Sequence, residues 1–262
     1  MRRLLPRPDE ECHEVDLDAA YALPTPLPTV PYVRSNFVVS VDGATEIEGR
    51  SGALGGPADL RVFRVLRWLS DVVLVGAGTA RAEDYGPVLV PAERRELRAA
   101  AGLAPVPPVA VVSRSLDLDP RARLFTAAVR PILLTCEAAP ARRRRELSAV
   151  AEVVICGDTS VDLRAALAAL ADRGLARVLT EGGPLLHAQL AEAGLLDELC
   201  LTVSPTLAGP SHLGVMLGDR WQAPVSLELD HVLVEDDVLF LRYRRTRAPR
   251  SDGFDQPASF TG

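Results

Sequence analysis

Short apolar runs alternate with segments in which apolar residues recur every three to four positions, along most of the chain. The runs predict β-strands, and the periodic segments predict amphipathic helices. Strands are predicted at residues 32–41, 72–75, 109–112, 132–135, 153–156, 177–180 and 199–204. Helices are predicted at residues 57–70, 162–173 and 184–193. Two further apolar runs, 227–234 and 238–244, flank three acidic residues and predict a hairpin.

The order of these segments predicts the fold. Short strands that alternate with helices indicate a parallel sheet with helices on both faces. The terminal hairpin adds antiparallel strands at one edge, so we predict one α/β domain over residues 31–246. Prolines cluster at residues 24–31, and we expect residues 1–30 to form an extended arm around the globular body. The tail, residues 247–262, is expected to be disordered.

The charge and the composition of the chain argue against several classes of binding partner. A net charge of −6 argues against nucleic acid, and the four arginines at residues 142–145 are expected to form a solvated helix face. The first residues lack the apolar core of a signal peptide, and no run is apolar and long enough to span a membrane. The four cysteines show neither CxxC nor zinc-ligand spacing. We therefore expect reduced thiols in a cytoplasmic protein, with no metal site and no membrane association.

Three loops follow predicted strands and share one edge of the sheet if those strands are parallel. Ligands of such sheets bind at the carboxyl ends of the strands, which form this edge. The loops are Gly76-Ala77-Gly78-Thr79, Ser113-Arg114-Ser115 and Glu181-Gly182-Gly183-Pro184.

The first two loops each allow two interpretations. The first is a Gly-rich turn before a helix, with Arg81 where a Rossmann fingerprint needs a glycine. Such a turn exposes backbone N–H groups to a phosphate, but a plain turn explains it equally well. In the second loop, the Arg114 guanidinium suits a 2′-phosphate, and an exposed loop arginine is the alternative.

The third loop has two consecutive glycines where a turn needs only one. The pair permits backbone conformations closed to other residues and the close approach of another group. Pro184 then fixes the first turn of a helix. Together the three loops fit one nucleotide, with its 2′-phosphate at the Ser113 loop and its pyrophosphate near Gly76 and the helix after Gly183.

These loops belong to a wider pattern that resembles a known family. The motifs SVDG (40–43), GAGTARAED (76–84), VLTEGGPLL (178–186) and LLDELCLTVSPTLAG (195–209) resemble those of the pyrimidine reductase family, the reductase domain of the riboflavin-pathway deaminase-reductase. VVSRSL (111–116) is similar to the loop by which dihydrofolate reductases hold the NADPH 2′-phosphate. The match covers about residues 32–244 and implies a dihydrofolate-reductase-like fold.

The resemblance implies NADPH as the cofactor and hydride transfer to C1′ of a ribosylamino-pyrimidine phosphate. By motif position, Ser51 and Arg67 hold this small heterocyclic substrate, Arg67 through its phosphate or its ring. Spacing alone predicts that Arg61, Arg64 and Arg67 form a solvated helix face instead. Asp42, at the end of the first predicted strand, is the candidate catalytic carboxylate, although Asp-Gly is also a common turn. The family also suggests a homodimer with a contact through the C-terminal strands. The residues expected at the cofactor are Gly76, Gly78, Thr79, Glu83, Ser113, Arg114, Glu181, Gly182, Gly183, Pro184 and Leu185.

Two departures from the family pattern concern the substrate more than the cofactor. Asn36 stands where many members carry a lysine, and Glu83 replaces the usual aspartate. Two other functions therefore stay open. One is a reductase of the same fold that acts on dihydrofolate or another pteridine, and the other is an NADPH-binding protein without turnover.

Overall fold

The computed structural model describes residues 1–6, 14–28, 30–126, 128–209, 213–218 and 224–246. The strands in these ranges are β1 (Arg2–Leu5), β2 (Tyr32–Ser40), β3 (Val72–Gly76), β4 (Val109–Val112), β5 (Ile132–Thr135), β6 (Glu152–Ile155), β7 (Arg177–Thr180), β8 (Glu198–Ser204), β9 (Leu227–Glu235) and β10 (Val238–Arg245). The helices are α1 (Leu17–Ala20), α2 (Pro57–Trp68), α3 (Ala77–Ala82), α4 (Ala92–Ala100), α5 (Ala141–Leu147), α6 (Leu163–Ala171) and α7 (Pro184–Glu192).

The strands form one sheet in the order β1-β9-β10-β8-β2-β7-β3-β4-β5-β6. From β8 to β6 in this order, neighbouring strands pair in parallel. β10, β9 and β1 pair antiparallel at the other side. The predicted fold class is therefore confirmed: a mostly parallel α/β sheet with flanking helices and a C-terminal antiparallel hairpin.

The central strands are buried because helices cover both faces of the sheet. On one face, Val73 of β3 belongs to the same apolar cluster as Leu66 of α2. On the other face, Leu74 clusters with Leu170 of α6 and Leu190 of α7. This double cover explains why β3 and β4 are continuous apolar runs rather than alternating sequences.

The N-terminal segment contributes regular structure where an extended arm was expected. β1 adds to the sheet beside β9, and α1 begins after its N-cap residue Asp16. The buried Arg242 of β10 donates to the backbone carbonyls of Ala20 and Ala22 at 2.6 and 2.9 Å. Its Nη2 lies 2.8 Å from the buried carboxylate of Glu198, which also forms an ion pair with Arg34. The two hydrogen bonds from Arg242 to these carbonyls join the end of α1 and the segment after it to the hairpin.

Three further expectations concern membrane-spanning helices, metal sites and the cysteines. Within the described ranges, no helix is long and apolar enough to cross a membrane. In the same ranges, no three His, Cys, Asp or Glu side chains are grouped so as to hold a metal ion. Cys136, Cys156 and Cys200 are buried free thiols. Cys12 and the tail over residues 247–262 lie outside the described residues.

Candidate active site

A cleft of about 1160 Å³ lies at the carboxyl ends of β7, β3 and β4. The structure thus brings together the three loops that were expected to share one edge. Helix α2 and the segment before it complete the walls of the cleft. Asp42 and Gly182 are absent from the cleft lining given by the described residues. The predicted site residues that do line it are Ser51, Arg67, Gly76, Gly78, Thr79, Glu83, Ser113, Arg114, Glu181, Gly183, Pro184 and Leu185.

Arg67 and Glu181, which were assigned to different ligands, bind each other. Nε and Nη2 of Arg67 donate to the two carboxylate oxygens of Glu181, both at 2.7 Å. The Tyr85 hydroxyl donates to the same carboxylate at 2.6 Å. The Arg67 guanidinium also lies 4.1 Å from the centre of the Phe63 ring. Helix α2, the end of β7 and the segment after α3 are therefore joined at one point of the cleft wall.

Burial and charge set the protonation states in this cluster. Burial by itself lowers the pKa of the Arg67 guanidinium, but the Glu181 carboxylate holds that pKa above its ordinary value. Burial, and then the Glu181 anion, raise the pKa of Tyr85 well above its ordinary value. Tyr85 thus remains a hydrogen-bond donor at neutral pH. Because the bidentate pair neutralises Arg67, this arginine is not a free cation for a phosphate.

Ser51 and Glu83 also bind each other. The Glu83 carboxylate accepts hydrogen bonds from the backbone N–H and from the hydroxyl of Ser51, both at 2.9 Å. The contact joins the segment before α2 to the end of α3. As with Arg67 and Glu181, a residue predicted to bind the substrate forms a hydrogen bond with a residue predicted to bind the cofactor.

The packing of the protein itself requires the two glycines after β7. Gly182 has a φ of +88°, and a Cβ at this residue would lie 2.9 Å from Cζ of Phe37. A Cβ on Gly183 would clash with Oγ1 of Thr79. The Gly182 carbonyl accepts from the N–H of Gly76 at 2.7 Å, which joins the first and third loops. The close approach predicted for the second glycine is therefore met by Thr79, within the chain.

The loop after β4 presents an open cation to the cleft. The Ser113 hydroxyl accepts from the N–H of Leu116 at 2.9 Å and so holds the turn. The Arg114 side chain is exposed, and no carboxylate in the described part of the chain pairs with it. Nearby in the cleft lining, a Cβ on Gly78 would meet nothing within 4 Å. The residues of this side therefore leave space and positive charge available to a ligand.

Asp42 lies outside the cleft lining, and other contacts account for its carboxylate. It accepts from the Ser40 hydroxyl at 2.5 Å and from the N–H groups of Ala208 and Gly209 at 3.0 and 2.8 Å. The hydrogen bond from Ser40, followed by these two, holds the pKa of Asp42 below its ordinary value. The geometry favours the alternative of an Asp-Gly turn, here fastened to the segment after β8. The catalytic role predicted for Asp42 stays a prediction.

Asp59, Phe63 and Tyr85 are among the residues of the cleft lining to which the sequence assigned no role. Asp59, Phe63 and Arg67 follow one another at a spacing of four, which places them on one face of α2 and was a readable signal. Burial raises the pKa of the Asp59 carboxyl, so it protonates more readily than an exposed aspartate. Tyr85 had no comparable signal, because its partner Glu181 is 96 positions away.

Proteins of similar sequence include two archaeal reductases. The chain is 34% identical to the 2,5-diamino-6-ribosylamino-4(3H)-pyrimidinone 5′-phosphate reductase of Archaeoglobus fulgidus, over 68% of this chain and 82% of that protein. The reductase of the same name from Methanothermobacter thermautotrophicus is 32% identical, over 81% of this chain and 97% of that protein. Both similarities extend over most of the relative's length and are not confined to a single motif.

A solved structure and a family match agree with these relatives. The crystal structure of a pyrimidine reductase-like protein from Corynebacterium diphtheriae superposes with a TM-score of 0.76 at 29% identity, covering 83% of this chain and 93% of that one. Residues 31–239 match the family described as the RibD C-terminal domain. Because this match spans more than half of the chain, the protein belongs to the RibD C-terminal domain family.

Proposed function

We propose that this protein is an NADPH-dependent reductase of a ribosylamino-pyrimidine phosphate in riboflavin biosynthesis. Both archaeal relatives carry the name of a ribosylamino-pyrimidinone phosphate reductase. The observation that carries the proposal is the cleft, which has two chemically different walls. One wall presents the open guanidinium of Arg114, and another presents the hydrogen-bonded cluster of Arg67, Glu181 and Tyr85. This combination suits a phosphorylated nucleotide beside a small polar heterocycle.

The described residues fit NADPH. Arg114 offers two parallel N–H donors to a 2′-phosphate. Helix α7 begins at Pro184 without a side-chain cap, so the N–H groups of Leu185 and Leu186 remain available to a pyrophosphate. The open space at Gly78 lets a ligand approach the backbone there. When bound, NADPH would supply the hydride from its nicotinamide ring.

The chain's own residues would bind and orient the substrate. The Glu181 carboxylate has about four acceptor positions, and the donors from Arg67 and Tyr85 occupy three of them. The remaining position is suited to a hydroxyl or amino group of the substrate. C1′ of a ribosylamine is electrophilic once the sugar opens to the imine, so positioning and the exclusion of water carry most of the catalysis.

We also propose that the protein acts in the cytoplasm as a homodimer. Resemblance to the reductase family supports this assembly, with a contact through β9 and β10. Size-exclusion chromatography with light scattering measures the mass in solution. A monomer at the concentrations used for kinetics would exclude the dimer as the working form.

The substrate is tested by following NADPH oxidation with the ribosylamino-pyrimidine phosphate and, at equal enzyme concentration, with dihydrofolate. Turnover of the pyrimidine phosphate is the expected result. Turnover of dihydrofolate alone would reject the riboflavin assignment in favour of a pteridine reductase. NADPH binding without oxidation by either substrate would identify a protein that binds the cofactor and does not turn it over.

The cofactor is tested by replacing Arg114 with alanine. We expect the KM of NADPH to rise far more than that of NADH, because only NADPH carries the 2′-phosphate. Arg121, an exposed arginine paired with Asp119, provides the matched control, and Arg121→Ala should change neither value. An equal loss for both cofactors in Arg114→Ala would contradict the assignment of this loop to the 2′-phosphate.

A further inference from the structure

Helix α2 carries three arginines at every third position, Arg61, Arg64 and Arg67, and each has different surroundings. Arg61 forms an ion pair with Glu235 at the end of β9. Arg67 is bound through two hydrogen bonds by Glu181. Arg64 lies between them, is exposed and lines the cleft. No carboxylate in the described ranges forms an ion pair with Arg64.

The contacts of Arg67 leave it poorly suited to a phosphate. Its Nε and Nη2 both point to Glu181 at 2.7 Å, and the carboxylate cancels its charge. A phosphate at this position would meet the Glu181 anion together with the Arg67 cation, and like charges at such short range repel. The phosphate contact that the family pattern suggested for Arg67 is therefore better provided by a neighbouring residue.

The other arginines of the cleft lining are already compensated or assigned. Arg81 and Arg123 lie 3.7 and 3.1 Å from aspartate oxygens. Arg114 is exposed and has no carboxylate partner in the described ranges, but it follows β4, where we propose that the cofactor binds. Arg64 is thus the lining arginine, within the described chain, whose charge is neither compensated nor assigned to NADPH.

We propose that Arg64 binds the phosphate group of the substrate and makes the enzyme prefer the phosphorylated ribosylamino-pyrimidine to its dephosphorylated form. This inference rests on the proposed function. An arginine gives a phosphate two parallel N–H donors. Arg64 and Arg67 are three positions apart, roughly 4.5 Å along the helix axis. A single ribose phosphate can therefore contact Arg64 while its ring system lies beside Arg67 and Glu181.

Steady-state kinetics on the wild type, Arg64→Ala and Arg61→Ala tests the proposal. For Arg64→Ala, the KM of the phosphorylated substrate should rise roughly tenfold to a hundredfold, the range for a lost charge-assisted contact. Its kcat, the KM of NADPH and the KM of the dephosphorylated substrate should stay unchanged. Arg61→Ala removes a charge from the same helix outside the cleft lining and should leave all four values unchanged. Arg64→Lys, which keeps the charge, should recover part of the affinity.

Calorimetric binding of ribose 5-phosphate and ribose to the same proteins gives a readout that needs no turnover. Only the binding of ribose 5-phosphate should weaken in Arg64→Ala. Equal KM values for the phosphorylated substrate in the two alanine variants, or a rise in the KM of NADPH instead, would overturn the role of Arg64. A wild-type protein that turns over neither pyrimidine would reject the proposed function, and the ribose 5-phosphate measurement would then decide on Arg64 separately.

Discussion

Replacing Glu181 with glutamine removes the charge that compensates Arg67 while keeping the shape of the side chain. The Arg67 side chain is 17% exposed and that of Glu181 is 3% exposed, so the guanidinium would stay largely buried without a counter-charge. Removal of one partner from a buried ion pair costs about 3–5 kcal/mol. The partial exposure of Arg67 favours the lower end, about 3 kcal/mol, which lowers the ratio of folded to unfolded chains on the order of a hundredfold.

Urea denaturation followed by circular dichroism measures this loss in the free energy of unfolding. The double variant Arg67→Met/Glu181→Leu removes both charges and keeps the apolar volume, so it should be more stable than Glu181→Gln. Tyr85→Phe loses one hydrogen bond and should lose about 1–2 kcal/mol. A loss below about 1 kcal/mol for Glu181→Gln, the range of exposed ion pairs, would refute the reasoning. A double variant as unstable as the single one would refute it as well.

Two more perturbations follow from contacts away from this cluster. Gly183→Ala should lose about 1–3 kcal/mol of stability through its clash with Thr79. Adding Thr79→Ala should restore most of the loss, and purely additive effects in thermal melts would contradict that contact. Burial, and then the Arg242 cation, lower the pKa of His231 from 6.5 to about 4. The unfolded chain therefore takes up the proton first, and stability should fall as the pH drops from about 6.5 towards 4. His231→Gln should flatten part of this slope in urea titrations, whereas an unchanged slope would exclude His231 as its source.

The parallel core could be predicted because burial on both faces leaves a local signature in the sequence. β4, β5 and β7 begin and end at the predicted residues. β1 and α4 leave no such signature. β1 reads Arg-Arg-Leu-Leu and is largely exposed. The buried residue of α4 is Arg98, whose guanidinium donates to the carbonyls of Trp68, Ser70 and Ala104, so a charged side chain occupies an interior position.

The sequence predicted which loops form the cleft, but it did not predict which side chains in those loops bind one another. Strand ends and glycines placed the three loops at one edge. The pairing of Arg67 with Glu181 joins positions 114 apart, and Asp42 binds a backbone N–H 166 positions away. A motif states which residue types are present, whereas the partner of each side chain depends on the sheet order, which brings β2 between β7 and β8. The roles of the predicted residues toward ligands stay predictions.

The same sheet order has a consequence for synthesis on the ribosome. β3, β4, β5 and β6 pair with one another in the order in which they are translated. β2, by contrast, is translated long before its neighbours β7 and β8. In the same way, β1 is translated long before β9, the strand with which it pairs. The apolar side chains of β2, such as Val33 and Phe37, therefore lack their final neighbours until most of the chain has been made. A nascent chain stalled before β8 would expose them, and this stage of translation is where proteases and chaperones would encounter the protein.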